Sequence, residues 1–147
     1  MINYLFDSRY RSILCLNGDL PEASFFRQQQ LPVIAADGAA NHLKKMRLSP
    51  EIIIGDLDSI HAALRNNHPV LFEPCQNSSD FQKSMHYLHQ QNLLPAIIVG
   101  MNGGYLDHIL NNINIFMATN SLFYAPPTSW IRYKKRSIRA IDTANRY

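Results

Sequence analysis

Several acidic side chains in this sequence of 147 residues fall where apolar runs end. Asp37 follows the run 33–36, and Asp56 and Asp58 follow 52–54 within Gly55-Asp56-Leu57-Asp58-Ser59. Asp80 opens a helical pattern and has Lys83 three positions on. If the runs are neighbouring parallel strands, Asp37, Asp56 and Asp58 meet on one rim, beyond the carboxyl ends of the strands, where open parallel sheets bind ligands. Crowded carboxylates raise one another's pKa unless a cation sits among them. A hard divalent ion with oxygen ligands, most simply Mg2+, removes that conflict, and it commonly shares one or two carboxylates with substrate phosphates. Taken alone, an Asp-x-Asp pair also reads as turn formers and helix caps. The other strand-end acids tip the reading toward a metal site.

Glycines supply the second half of such a site. Gly100-Met101-Asn102-Gly103-Gly104 joins the run 96–99 to a helix starting near Tyr105. Glycines there let backbone N–H groups approach phosphate oxygens, and a helix N-terminus favours negative charge. Asn17-Gly18 after the run 13–16 and Gly38 after Asp37 occupy equivalent strand ends. No G-x-x-x-x-G-K-[ST] sequence occurs, and no G-x-G-x-x-G follows the first run, which argues against a P-loop and a dinucleotide site. Lys83 can reach phosphate while Asp80 faces the metal; their plainer alternative is a surface i, i+3 ion pair.

The elements that must position these residues are legible as alternating periods. Apolar runs at 13–16, 33–36, 52–54, 70–72, 96–99 and 122–124 are bounded by turn residues and read as strands. Phe81, Met85 and Leu88 fall on one face of a helix, and Ser79 with Gln82 matches a capping box that starts it just before Asp80. In the last helix Leu106, Leu110, Ile113 and Met117 form an apolar stripe, with Asp107, Asn111 and Asn114 on another face. Strands that are apolar throughout, alternating with helices, predict an α/β fold with a parallel sheet covered on both faces. The pattern weakens after Ala125, where Pro126-Pro127 interrupts any regular element.

Composition narrows the function classes. Hydrophobic residues make up 46% and charged residues 17%, enough to bury a core and too apolar for a disordered chain. No apolar run approaches the ~20 residues of a membrane span, and the first residues lack a signal-peptide pattern. Cys15 and Cys75 form no CxxC pair, so a zinc site or disulfide scaffold is not indicated, and a reduced cytoplasmic setting is expected. The net charge of +3 hides a split: residues 126–147 carry +5, leaving −2 for the remainder. The basic segment reads as a solvated tail or strand edge, and nucleic acid is an unlikely partner.

Taken together, residues 13–117 resemble the catalytic domain of thiamine pyrophosphokinase. Five segments carry the resemblance in order: Leu14 to Gly18; Ala36-Asp37-Gly38-Ala39-Ala40; Gly55-Asp56-Leu57-Asp58-Ser59; Ser79-Asp80-Phe81-Gln82-Lys83; and Gly103-Gly104-Tyr105-Leu106-Asp107-His108. Tyr105 stands where the family has arginine, and Cys75 where it has an acid. The resemblance implies a three-layer, Rossmann-like, doubly wound, mostly parallel sheet over residues 1–125. Residues 126–147 would then be a basic tail or a remnant of the family's C-terminal thiamine-binding β domain, which is expected to be largely absent.

The implied function is ATP- and magnesium-dependent transfer of diphosphate from ATP to the hydroxyl of thiamine, giving thiamine diphosphate and AMP. Asp56, Asp58 and Asp80 would hold Mg2+, with Lys83 completing the catalytic set. Asn17, Gly18, Asp37, Gly38, Ser59, Ser79, Gly103, Gly104, Asp107 and His108 would form the nucleotide site; beside an apolar helical stripe, His108 reads as structural before it reads as a base for the hydroxyl proton. ATP and thiamine would be the small-molecule partners, and a homodimer is expected. Two alternatives stay open: a nucleotide-binding module of the same fold with impaired catalysis, and a diphosphokinase for another hydroxymethyl acceptor, such as a pterin.

Overall fold

The computed structural model describes residues 9–119 and, as backbone, three further strands at 122–125, 129–134 and 137–142. Six strands, β1 (Ser12–Cys15), β2 (Val33–Ala36), β3 (Ile52–Gly55), β4 (Val70–Phe72), β5 (Ala96–Val99) and β6 (Leu122–Ala125), match the apolar runs to within a residue at each end. They lie parallel to their neighbours in the order β4-β3-β2-β1-β5-β6. Two antiparallel strands, β7 (Ser129–Lys134) and β8 (Ser137–Asp142), continue the same sheet beyond β6. The segment that breaks the pattern at Pro126-Pro127 thus resumes as a hairpin on the sheet's edge.

Alternation along β1, β2, β3 and β5 builds two cores. Ile13, Cys15, Ala35, Ile53, Ile97 and Val99 face one layer, with Phe25 and Phe26 of α1 (Ala23–Gln29), Leu43 of α2 (Ala39–Lys45) and Leu64 of α3 (Ala62–Asn67). Leu14, Ile34, Ala36, Ile54 and Ile98 face the other, with Phe81 and Leu88 of α4 (Asp80–Gln90) and Phe116 of α5 (Leu106–Met117). The chain winds outward from β1 to β4 with three helices on one face, returns through α4, then continues outward from β5 with α5 on the opposite face. That change of face is what right-handed crossovers demand when the winding direction reverses. The reversal leaves a crevice between β1 and β5, at their carboxyl ends.

The capping box forms as read: Gln82 N–H donates to Ser79 Oγ at 3.2 Å, and Ser79 N–H donates to Gln82 Oε1 at 2.9 Å. These bonds satisfy two otherwise orphaned donors and fix Ser79 as the N-cap, so that α4 begins at Asp80. Helix α5 differs from its apolar pattern. Leu106, Leu110, Ile113 and Met117 are exposed, at 70%, 57%, 38% and 40%. The inward side instead carries Ile109, Asn112 and Phe116, of which only Phe116 is fully buried. An inward asparagine at the middle of that face is what hid it from hydropathy. No helix among the described residues is long and apolar enough to cross a membrane.

Candidate functional site

Asp37 leaves β2 in a left-handed turn (φ 40°), a conformation aspartate tolerates, and its N–H donates to Ile54 O at 2.8 Å. The turn delivers its carboxyl toward the end of β3. There Gly55 (φ 150°) leaves room: a Cβ would stand 3.0 Å from Asp37 Cβ and 3.1 Å from Asp80 Oδ1. The glycine is thus the gap through which two carboxylates from different elements converge. The next turn is anchored by Leu57, which is buried at φ 64°, between half-buried Asp56 and exposed Asp58.

The outcome is an acidic trio. One carboxylate oxygen from each of Asp37, Asp56 and Asp80 lies within 4.8 Å of the others. Asp58 is outside this group; its N–H donates to Asp56 Oδ1 at 3.3 Å, and Gln76 Nε2 donates to Asp56 Oδ2 at 3.4 Å. Lys83 Nζ sits 3.4 Å from Asp80 Oδ1, with its side chain only 6% exposed. Burial, before any other cause, pushes the carboxyl pKa of both Asp37 and Asp80 above the ordinary value. Neighbouring carboxylates add to the rise, while hydrogen bonds from Ser59 to Asp37, and Lys83 beside Asp80, oppose it. Asp37 is 6% exposed, and its Oδ1 has no hydrogen-bond partner. A buried, unpartnered carboxylate oxygen beside two more carboxylates fits a small hard cation, which binds where no hydrogen-bond donor is present.

The trio forms one end of a cavity of about 400 Å³, open on one side. Of the residues expected at the site, Asn17, Gly18, Asp37, Gly38, Asp56, Ser59, Ser79, Asp80, Lys83, Gly104 and His108 line it. Lys83 is the one lysine or arginine in the wall among the described residues. Asp58, Asp107 and Gly103 do not line it. Gly103 (φ 90°) has a different job: the space a Cβ would take is occupied by the Asp19 carboxylate. Gly18 and Gly100 likewise lie against the backbone of the facing loop, at Asn102 and Leu16. With Asp19 N–H donating to Asn102 O at 2.8 Å, these contacts lock the β1 and β5 loops together across the crevice. Gly18, Gly100 and Gly103 therefore act by close packing between the loops, whereas Gly104, which also lines the cavity, has nothing within 4 Å of a Cβ.

Other residues also shape the site. Asn41, in the first turn of α2, donates through Nδ2 to Ser59 O at 2.6 Å and accepts at Oδ1 from His61 N–H at 3.1 Å. It clamps the loop that follows Asp56 and Asp58. His42 Nε2 lies 3.0 Å from Asn17 Oδ1 and orients that amide beside Gly38. Asn102, Ile109 and Asn112 line the cavity end nearest β5. Asn102 belongs to the glycine-rich segment already read as phosphate-facing, and Asn112 to the family segment that continues through Leu110-Asn111-Asn112. Asn41 and His42, inside a helix, read as surface residues, so no sequence signal singles them out.

With the site in view, the comparisons decide the family. The family profile described as thiamin pyrophosphokinase, catalytic domain, matches residues 24–123. The chain belongs to the thiamin pyrophosphokinase family. Solved thiamin pyrophosphokinase structures share the fold. The Bacillus subtilis protein superposes with a TM-score of 0.65 at 21% identity, covering 83% of this chain and 63% of that one. The yeast enzyme gives 0.67 at 20% identity, with 86% and 62% covered. The Candida albicans protein gives 0.69 at 18% identity, with 84% and 60% covered. The chain thus spans less than two thirds of the length of these thiamin pyrophosphokinases.

Proposed function

We propose that this chain transfers diphosphate from ATP to the hydroxyl group of thiamine, with Mg2+ held by Asp37, Asp56 and Asp80. The observation that carries the reading is the trio itself: three carboxylates within 4.8 Å, one with a buried, unpartnered oxygen, lining the cavity that the β1 and β5 loops also line. The motif resemblance nominates Asp58 as a third ligand; its exposed position outside the trio supports a place at the outer edge of the site. Bound among these carboxylates, a divalent ion would offset the charge of the triphosphate oxygens.

The chain's own groups do the positioning. Lys83 supplies positive charge from the cavity wall toward the transferring oxygens, and its buried stem restricts where that charge can sit. The locked loops at Gly18 and Gly100 keep the phosphate-facing backbone rigid. The acceptor's hydroxyl oxygen forms a bond to the β-phosphorus, and the bond from that phosphorus to the oxygen of the α-phosphate breaks. AMP leaves with that oxygen, and the hydroxyl proton passes to water at the open side. His108 stands in the wall as a nucleotide contact.

A coupled assay for AMP release, with thiamine, ATP and Mg2+, tests the reading; turnover dependent on all three supports it. Binding of Mg2+ and ATP without turnover would instead favour the impaired module, and turnover only with another hydroxymethyl compound would favour a different acceptor. The reading places the chain in the cytosol as a homodimer, and the outward stripe of Leu106, Leu110, Ile113 and Met117 is an apolar surface that supports association.

A further inference from the structure

Tyr105 is the most exposed large hydrophobic residue among those described, at 83%. It caps α5, and its carbonyl accepts from Ile109 N–H at 3.1 Å. Residues 108, 109, 112 and 116 share one face by the 3.6-residue period. Of these, His108, Ile109 and Asn112 line the cavity and Phe116 is buried in the core. Tyr105, in extended backbone ahead of the helix (φ −63°, ψ 147°), is not itself in the cavity wall; it stands at the rim, flanked in sequence by the wall residue Gly104 and in contact with the wall residue His108. The Tyr105 ring meets the His108 ring at 6.3 Å between centroids, tilted by 57°.

We infer that Tyr105, backed by His108, is a stacking platform for a planar heteroaromatic ring of the bound ligand, and so a specificity-determining residue for the proposed reaction. This rests on the reading of the cavity as a triphosphate site. Asp37 and Asp56 follow β2 and β3, on one side of β1, whereas Gly104 and His108 follow β5, on the other. A ligand whose phosphates meet the carboxylates through a metal would extend its ring toward α5. An aromatic face at that end accepts any π-system, and the locked β5 loop holds the platform in place without ligand-induced ordering. Two rings can meet this chemistry: the nucleobase of ATP or the ring system of the acceptor.

Titration calorimetry on the full chain in Mg2+ separates them, with ATP, inorganic tripolyphosphate and thiamine as three probes against wild type, Tyr105→Ala and Tyr105→Phe. Stacking on the nucleobase predicts that Tyr105→Ala weakens ATP by about tenfold and leaves tripolyphosphate unchanged, while Tyr105→Phe keeps ATP binding. Stacking on the acceptor predicts the same loss for thiamine, with ATP unchanged. If Tyr105→Ala leaves both ATP and thiamine binding intact, the inference is overturned while the triphosphate site stands. If wild type binds none of the three probes, the inference and the reading beneath it both fail.

Discussion

Lys83 Nζ and Asp80 Oδ1 stand 3.4 Å apart on one turn of α4, the lysine side chain 6% exposed and the aspartate's 35%. The pair is more than a surface i, i+3 bridge, because both residues line the cavity and the carboxylate also belongs to the acidic trio. Lys83 offsets charge on Asp80, and in the proposed function it would also present a cation to phosphate. Replacing it with methionine keeps the buried stem and removes the charge. Lys83→Met should lower the rate of diphosphate transfer by about a hundredfold or more, the usual effect of losing one group aimed at transition-state charge. Mg2+ binding, measured separately, should persist; its loss would mean that the lysine mainly holds the carboxylates in place.

In the metal-free protein, Asp37 and Asp80 both have pKa values raised above 3.8, chiefly by burial. A raised native pKa means that the folded state takes up protons more readily than the unfolded chain. Their contribution to stability is therefore full below about pH 4 and declines as pH rises through the raised native values. Urea unfolding should show metal-free stability falling with pH across that window, against a shallower trend in Asp37→Asn. Mg2+ should raise the unfolding midpoint near neutral pH more than at about pH 4. An equal Mg2+ effect at both pH values would contradict the assignment.

Asn41 ties Ser59 O at 2.6 Å and the His61 N–H at 3.1 Å, and Ser59 in turn hydrogen-bonds Asp37. Asn41→Leu removes both bonds to the loop. The expected loss is about 1 kcal/mol of stability and about tenfold in Mg2+ affinity, the usual effect of removing a residue that orients a ligand. Denaturant unfolding and metal titration on the same variant check both. Unchanged metal affinity would reduce Asn41 to a capping residue.

The two cysteines should differ in reactivity. Burial pushes the Cys15 thiol pKa up, whereas exposed Cys75 is lowered, first by the Asn77 backbone, then by the Ser78 side chain, with Lys83 a smaller influence. Cys75 has no cation near it in sequence; the fold brings Lys83 into play. Iodoacetamide near neutral pH should label Cys75 quickly and leave Cys15 untouched until the chain unfolds, as followed by mass spectrometry. Equal labelling rates in the native protein would refute this.

How much of this was legible beforehand depends on the kind of signal. Strands β1, β2, β3 and β5 were, because each is a short apolar run whose alternate residues fill both cores. The start of α4 was also legible, since the Ser79–Gln82 pair encodes two specific hydrogen bonds. Periodicity misled at α5, because Asn112 faces the cavity and the more apolar stripe faces outward. Spacing likewise could not tell which carboxylates would meet: buried Leu57 separates Asp56 from Asp58, while Gly55 makes room for Asp37 beside Asp80. The packing role of Gly103 against Asp19 is a contact between distant loops, beyond the reach of any local pattern.

Calorimetric titration of ATP into wild type and Asp56→Ala, with Mg2+ and with chelator, addresses the trio most directly. Circular dichroism on the variant would accompany it, as a check that the fold is kept. The account predicts Mg2+-dependent binding in wild type and a loss of more than about tenfold in a folded Asp56→Ala protein. ATP binding that is equally strong in chelator, or undiminished in the variant, would contradict it.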